Sequence, residues 1–225
     1  MESRLPFALL FACALGFGGK EEGGGIGKYD TSTWVGAQYQ PSQSSNEDWW
    51  WHYDDYEKQI QRELTLVKKA LNFTAIRVFL HSLIYKAHPP ALLEKMHKFL
   101  EISSKNDLKV GFVFFDDCWN HQGLNLSEPC LPRKGVHNGC WMASPQDIER
   151  TTDESKIQET VNSFKAYVTD IVNEFRQDTR VVWWEIFNEP NVDPTVPLPE
   201  GNFSNILRQS AYAWITELNP TQPIL

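Results

Sequence analysis

Apolar positions along this chain switch repeatedly between two spacings. Short runs in which almost every residue is apolar alternate with longer stretches where apolar residues return every three or four positions. These are the periods of buried strands and of amphipathic helices. Trp34 to Gln40 reads as a first strand, and Tyr56, Ile60, Leu64, Val67 and Leu71 mark the helix after it. Thr74 to Leu80 is a second strand, interrupted by Arg77. Leu92, Met96, Phe99 and Ser103 mark the next helix, opened by Pro89-Pro90 and closed near Asn106. Leu108 to Phe115 is a third strand, ending in Asp116-Asp117. A polar excursion from Cys118 to about Thr152 follows, and loops of such length inside a compact domain are usually functional. Ile157, Val161, Phe164, Val168, Ile171 and Phe175 then give the clearest helix, and Val181 to Phe187 a fourth strand. Ile206, Leu207, Trp214, Ile215 and Leu218 outline a fourth helix, and Pro223-Ile224-Leu225 the start of a fifth strand.

Strands alternating with amphipathic helices predict an α/β fold with a parallel sheet and right-handed crossovers. Four such units and a stub predict a (β/α)8 TIM barrel truncated to about its first four βα units. A doubly wound open sheet is the competing architecture, but no glycine-rich phosphate loop follows any strand.

Composition narrows the partners. A chain of 225 residues builds one core, and a net charge of −8 with a pI near 5.3 disfavours nucleic acid or anionic membrane. A neutral polysaccharide suits that balance. Arg4 followed by the apolar stretch Phe7 to Leu15 predicts a signal peptide over about residues 1–19. That stretch is too short for a membrane span, which takes about 20 residues. A glycine-rich linker over 20–32 leads to a domain over 33–225, and the expected location is secreted, extracellular. The Asn72, Asn125 and Asn202 glycosylation sequons add slightly to that expectation. Cys118, Cys130 and Cys140 share one loop, which predicts a single local disulfide with one thiol left over. Their spacing does not suit zinc, and no metal site is expected.

The candidate chemistry gathers at strand ends. The run Val181-Val182-Trp183-Trp184-Glu185-Ile186-Phe187 delivers Asn188-Glu189-Pro190, a carboxylate flanked by an amide and stopped by a proline. A buried parallel strand presents its last residues in this way at the mouth of a barrel. Strict alternation puts Glu189, Glu185 and Trp183 on one face, with Asn188, Ile186 and Trp184 on the other. Glu185 then lies a layer deeper, where a bare carboxylate is costly, and Arg77 is the partner expected for it. Several loop aromatics offer flat faces on which pyranose rings stack, whereas Trp183 and Trp184, on the strand, are expected in the core. Trp50, within Trp49-Trp50-Trp51, and Trp119 are the expected sugar platforms, and His137 is placed in the cleft.

Trp184-Glu185-Ile186-Phe187-Asn188-Glu189-Pro190 resembles the fourth-strand motif of clan A glycoside hydrolases, especially glycoside hydrolase family 5. Arg77, within Ala75-Ile76-Arg77-Val78, matches the arginine of those enzymes at the end of the second strand. The segments from Phe114 to Trp119 and from Gly135 to Asn138 are similar to cellulase-like and xylanase-like members. The resemblance runs from about Trp34 onward. It implies a retaining cleavage of O-glycosidic bonds in a β-linked polysaccharide, with no cofactor. Glu189 would be the catalytic acid/base, Asn188 would hold the sugar 2-hydroxyl, and Arg77 would support the carboxylates. Asp116 and Asp117 are expected to bind sugar hydroxyls. The nucleophile of such enzymes is a second glutamate ending the seventh strand, and this chain reaches only the fifth. Two rival readings therefore stand beside the enzyme: a non-catalytic carbohydrate-binding remnant, and a half-barrel that self-associates or pairs with another chain.

Overall fold

The computed structural model describes residues 31–133, 135–136, 139–190 and 198–225, with the backbone alone for 198–202. Four strands, β1 (Gly36–Gln38), β2 (Ala75–Phe79), β3 (Lys109–Asp116) and β4 (Val181–Asn188), form one parallel sheet in the order of the chain. Each strand thus lies beside its predecessor. A doubly wound sheet instead reverses direction from its first strand, so the topology follows the barrel expectation. The order continues beyond β4. Ile224 bridges Trp184 in parallel, with Trp184 N–H donating to Pro223 O at 3.0 Å and Leu225 N–H to Trp184 O at 2.8 Å.

Among the described residues seven helices connect and cover these strands: α1 (Asp48–Trp51), α2 (Tyr53–Leu71), α3 (Ser82–Ala87), α4 (Pro89–Lys105), α5 (Ile157–Asn162), α6 (Lys165–Phe175) and α7 (Leu198–Glu217). α2 ends where Asn72 turns left-handed (φ 52°) and its N–H closes on Lys68 O at 3.0 Å. Asparagine tolerates that geometry better than most residues. Pro89 and Pro90 sit in the first turn of α4, where no backbone donor is required.

Three expectations are corrected. β1 is only three residues long, because Trp34 N–H is held in a turn by Thr31 O. The helix expected to run unbroken from Ile157 to Phe175 is two segments, α5 and α6. The break lies at Ser163, whose hydroxyl donates to Thr160 O at 2.7 Å and competes with the helix ladder. The short helix α3 was not anticipated; the His81 ring accepts from Leu83 N–H at its start, and Pro89 follows it.

The main core lies between the sheet and the helices. Phe112, Phe114 and Trp184 stack there at 5.6–6.0 Å between centroids, with Tyr167 of α6 edge-on to Phe114. Each such side chain contributes about 1.5–3 kcal/mol by leaving water. A second, smaller cluster of Trp34, Ala75, Val182 and Trp183 covers the opposite face of the sheet. β4 carries one extra residue against β3, since Val110 pairs with Val181 and Gly111 with Trp183. Val182 and Trp183 consequently serve the same cluster. Gly111 is required opposite that indole: a Cβ there would lie 1.7 Å from Trp183 Cε2.

Candidate active site

The C-terminal ends of β2, β3 and β4 bring Arg77, Asp116, Glu185 and Asn188 into one hydrogen-bonded chain. In register, Arg77 lies beside Gly111 and Val113 beside Glu185, so the Arg77 side chain reaches across β3 to β4. Arg77 Nε donates to Glu185 Oε2 at 2.7 Å, and Nη2 donates to Glu185 Oε1 as well. The same Nη2 donates to Asn188 Oδ1 at 2.8 Å, and Nη1 to Gln38 Oε1 at 3.4 Å. The guanidinium lies over the Phe79 ring, 4.5 Å from its centroid. A planar fork satisfying two carboxylate oxygens and one amide is a task for arginine rather than lysine.

Asn188 passes the chain on. Its Nδ2 donates to Asp116 Oδ1 at 2.9 Å, which fixes the amide orientation, since Arg77 only donates. Asp116 Oδ1 also accepts from Cys118 N–H at 3.0 Å, and Oδ2 accepts from the Trp141 indole N–H. Asp116 is buried, and burial pushes its carboxyl up to about 6, against the lowering effect of these donors. Glu189 closes the group. It is exposed, its backbone is left-handed (φ 45°), and its Oε2 accepts from Cys118 Sγ at 2.9 Å.

Strict alternation along β4 is therefore broken at its end. Arg77 touches both Glu185 and Asn188, which alternation placed on opposite faces. Ile186 and Phe187 both pack into the helix-side core, as do Phe114 and Phe115 on β3. Two consecutive residues on the same side shift Asn188 and Asp116, paired in register, to the face of the site.

Two expected sugar contacts are corrected. Trp50 is fully buried: α1 turns it inward, it stacks on Trp49 at 3.9 Å, and its indole donates to Phe79 O at 2.7 Å. Asp117 is 4% exposed and paired with Arg150, whose Nε in turn donates to Pro145 O at 3.0 Å. That carboxylate anchors the long loop. Trp119 is 52% exposed and directly follows Cys118. His137, the signal peptide and residues 20–30 of the glycine-rich linker lie outside the described residues.

The loop itself is tied down. Cys130 and Cys140 form its disulfide, leaving Cys118 as the free thiol among the described residues. Asp116 and Ser144 exchange backbone hydrogen bonds at 2.7 and 2.9 Å. Asn46, from the loop after β1, donates to Met142 O at 2.8 Å and accepts from Met142 N–H at 3.0 Å. Sequence reasoning missed Cys118 and Trp141 as partners of the carboxylates. A signal for Cys118 existed, because it stands just after the strand-end aspartates. Among the described residues no group of three or more metal-binding side chains is assembled, and no helix is long and apolar enough to cross a membrane.

No family model matches the chain, and none of the curated proteins matches it in sequence. Solved structures match its fold. The exo-β-1,4-mannosidase Op5Man5 from Opitutaceae bacterium strain TAV5 aligns with a TM-score of 0.57 at 18% identity, over 85% of this chain and 31% of its own. The GH5_18 protein from Streptomyces cattleya, in complex with GlcNAc, gives 0.53 at 15% identity over 84% and 43%. The β-mannanase of the blue mussel Mytilus edulis gives 0.50 at 12% identity over 85% and 56%. The chain spans between about a third and just over half of these proteins. Over that span it has the α/β architecture of TIM-barrel glycosidases, with four parallel strands in sequential order and the beginning of a fifth.

Proposed function

We propose that these residues form the acid/base half of a retaining β-glycosidase site that cleaves β-linked oligo- or polysaccharides. The observation that carries this reading is the convergence of the Glu185–Arg77–Asn188–Asp116 chain and Glu189 at the same strand ends. Catalytic side chains in barrel enzymes occupy such ends. Glu189 delivers a proton to the glycosidic oxygen and later takes one from water. Asn188 has its Oδ1 and one amide hydrogen engaged, which leaves its second amide hydrogen for a sugar hydroxyl. Arg77 and Glu185 hold that amide in place, and Trp119 offers its exposed indole face to a neighbouring ring.

A retaining cycle needs a second carboxylate about 5–5.5 Å from the first. Asp116 accepts three hydrogen bonds and Asp117 is ion-paired, so neither is free to attack. The nucleophile of the proposed reaction is therefore neither of these two aspartates. The protein in secretion would meet its polysaccharide outside the cell. Calorimetry with β-1,4-linked manno-, gluco- and xylo-tetraose tests the reading, with chromatography of the products alongside. Saccharide binding that survives in Glu189→Gln supports it, and hydrolysis lost in that variant assigns the acid. Absence of binding to all three at millimolar concentration overturns it, and binding without any turnover by a longer chain favours a carbohydrate-binding remnant.

A further inference from the structure

We propose that Cys118 is a positioning residue for Glu189, its thiol donating the hydrogen bond that fixes the acid/base carboxylate beside the Asp116–Asn188 chain. The inference deepens the glycosidase reading and rests on it for its functional meaning. The contact itself stands apart from that reading.

Glu189 needs such a holder. It is exposed and follows the last residue of β4 in a left-handed turn, so neither packing nor strand geometry sets its side chain. An unrestrained glutamate samples several rotamers, and a reaction requiring one orientation must remove that freedom. Cys118 Sγ lies 2.9 Å from Glu189 Oε2. Cys118 is itself rigidly placed: its N–H donates to Asp116 Oδ1 at 3.0 Å, and it packs with Phe79, Val113 and Trp141. A small thiol in an apolar seat, joined by its backbone to the same aspartate that orients Asn188, gives the carboxylate a fixed reference.

The charged groups facing the thiol are Glu189 and Asp116. Burial first, and then the hydrogen bond to Glu189, push the thiol well above its ordinary range, so it stays protonated and remains a donor.

The test is the rate of carbamidomethylation of Cys118 in the full chain from pH 7 to 10, read by peptide mass spectrometry so that Cys13 does not interfere. In the wild type the rate is expected to climb through pH 10 without levelling. In Glu189→Gln, which keeps the size of the side chain and removes its charge, the rate is expected to rise about tenfold across the range. Glu189→Ala, which also removes the acceptor, should rise at least as far. Unblocking alone would raise the rate only where the side chain is shortened, so a rise confined to Glu189→Ala overturns the proposal, as does no change in either variant. Because no saccharide and no turnover enter this measurement, a failure of the glycosidase reading leaves its outcome intact.

Discussion

Replacing Arg77 by leucine removes the guanidinium that joins Glu185 to Asn188 and takes away the counter-charge of Glu185. The two side chains are 19% and 18% exposed, so the pair is largely but not fully withdrawn from water. At the effective dielectric of such a setting, unit charges at contact attract by about 4 kcal/mol, and desolvation offsets much of it. Removing one partner of a buried pair costs about 3–5 kcal/mol, chiefly the penalty of the orphaned ion. Residual hydration of Glu185 lowers this to about 2–4 kcal/mol here. For a chain of this size each kcal/mol moves the melting temperature by about 2–4 °C, so Arg77→Leu should melt at least about 4 °C lower. Urea unfolding of Arg77→Leu, Glu185→Leu and the double variant separates the pair from its surroundings. The double variant should be more stable than the sum of the single losses by about 2 kcal/mol, because no bare charge remains in it. Arg77→Leu also frees Asn188 Oδ1, so saccharide binding should weaken more in it than in Arg77→Lys. Strict additivity, or a single-variant loss below about 0.5 kcal/mol, would refute the reasoning.

Gly111→Ala should destabilise by about 1–3 kcal/mol through collision with the Trp183 indole, and Trp183→Leu in the same chain should recover part of that loss in a urea titration. Glu47 is fully buried, one oxygen accepts from Ser45 at 2.9 Å, the other has no hydrogen-bond partner among the described residues, and burial raises its carboxyl from 4.5 to about 7. The folded state therefore holds this proton more tightly than the unfolded state, and stability is lost as pH rises from about 4.5 to about 7. Relative to the wild type, Glu47→Gln should gain about 3 kcal/mol across that interval and nothing below it; a pH-independent difference would contradict the assignment. Trp50→Ala should cost about 3–5 kcal/mol, whereas Trp119→Ala should leave unfolding within about 0.5 kcal/mol and weaken saccharide binding about tenfold in calorimetry.

The fold was legible because its signal is repetitive. Near-continuous apolar runs bounded by period-3.6 stretches appear four times, and each run contains a strand in the expected order. Failures occurred where a single side chain overrode the period. Ser163 interrupts a helix whose apolar spacing is unbroken from Ile157 to Phe175. Trp50 shows the limit of position as a guide. It follows the first strand on the side where binding loops belong, yet a four-residue helix rotates it into the core, and its indole finds Phe79 O. Nothing in Trp49-Trp50-Trp51 distinguishes a platform from packing until α1 sets the angle.

The Arg77–Glu185 contact was legible for a sharper reason, since a carboxylate in an apolar strand has to find a cation and the second strand offers one. The rest of the site was hidden by the rule used to assign strand faces. Alternation assigns Asn188 and Glu185 to opposite faces, and a reading that trusts it cannot join them through one guanidinium. What joins them is the double step of Ile186 and Phe187 into the core, matched on the neighbouring strand by Phe114 and Phe115. Because both strands slip together, Asp116 and Asn188 remain in register and arrive at the site as a pair. A slip on one strand alone would leave a buried aspartate facing apolar side chains, at the cost of an unsatisfied charge. The aromatic residues just before each strand end are therefore as necessary to the site as the polar residues at the end. Phe187 and Phe115, 5.5 Å apart between ring centroids, fix the turn in both backbones that presents the amide and the acid together.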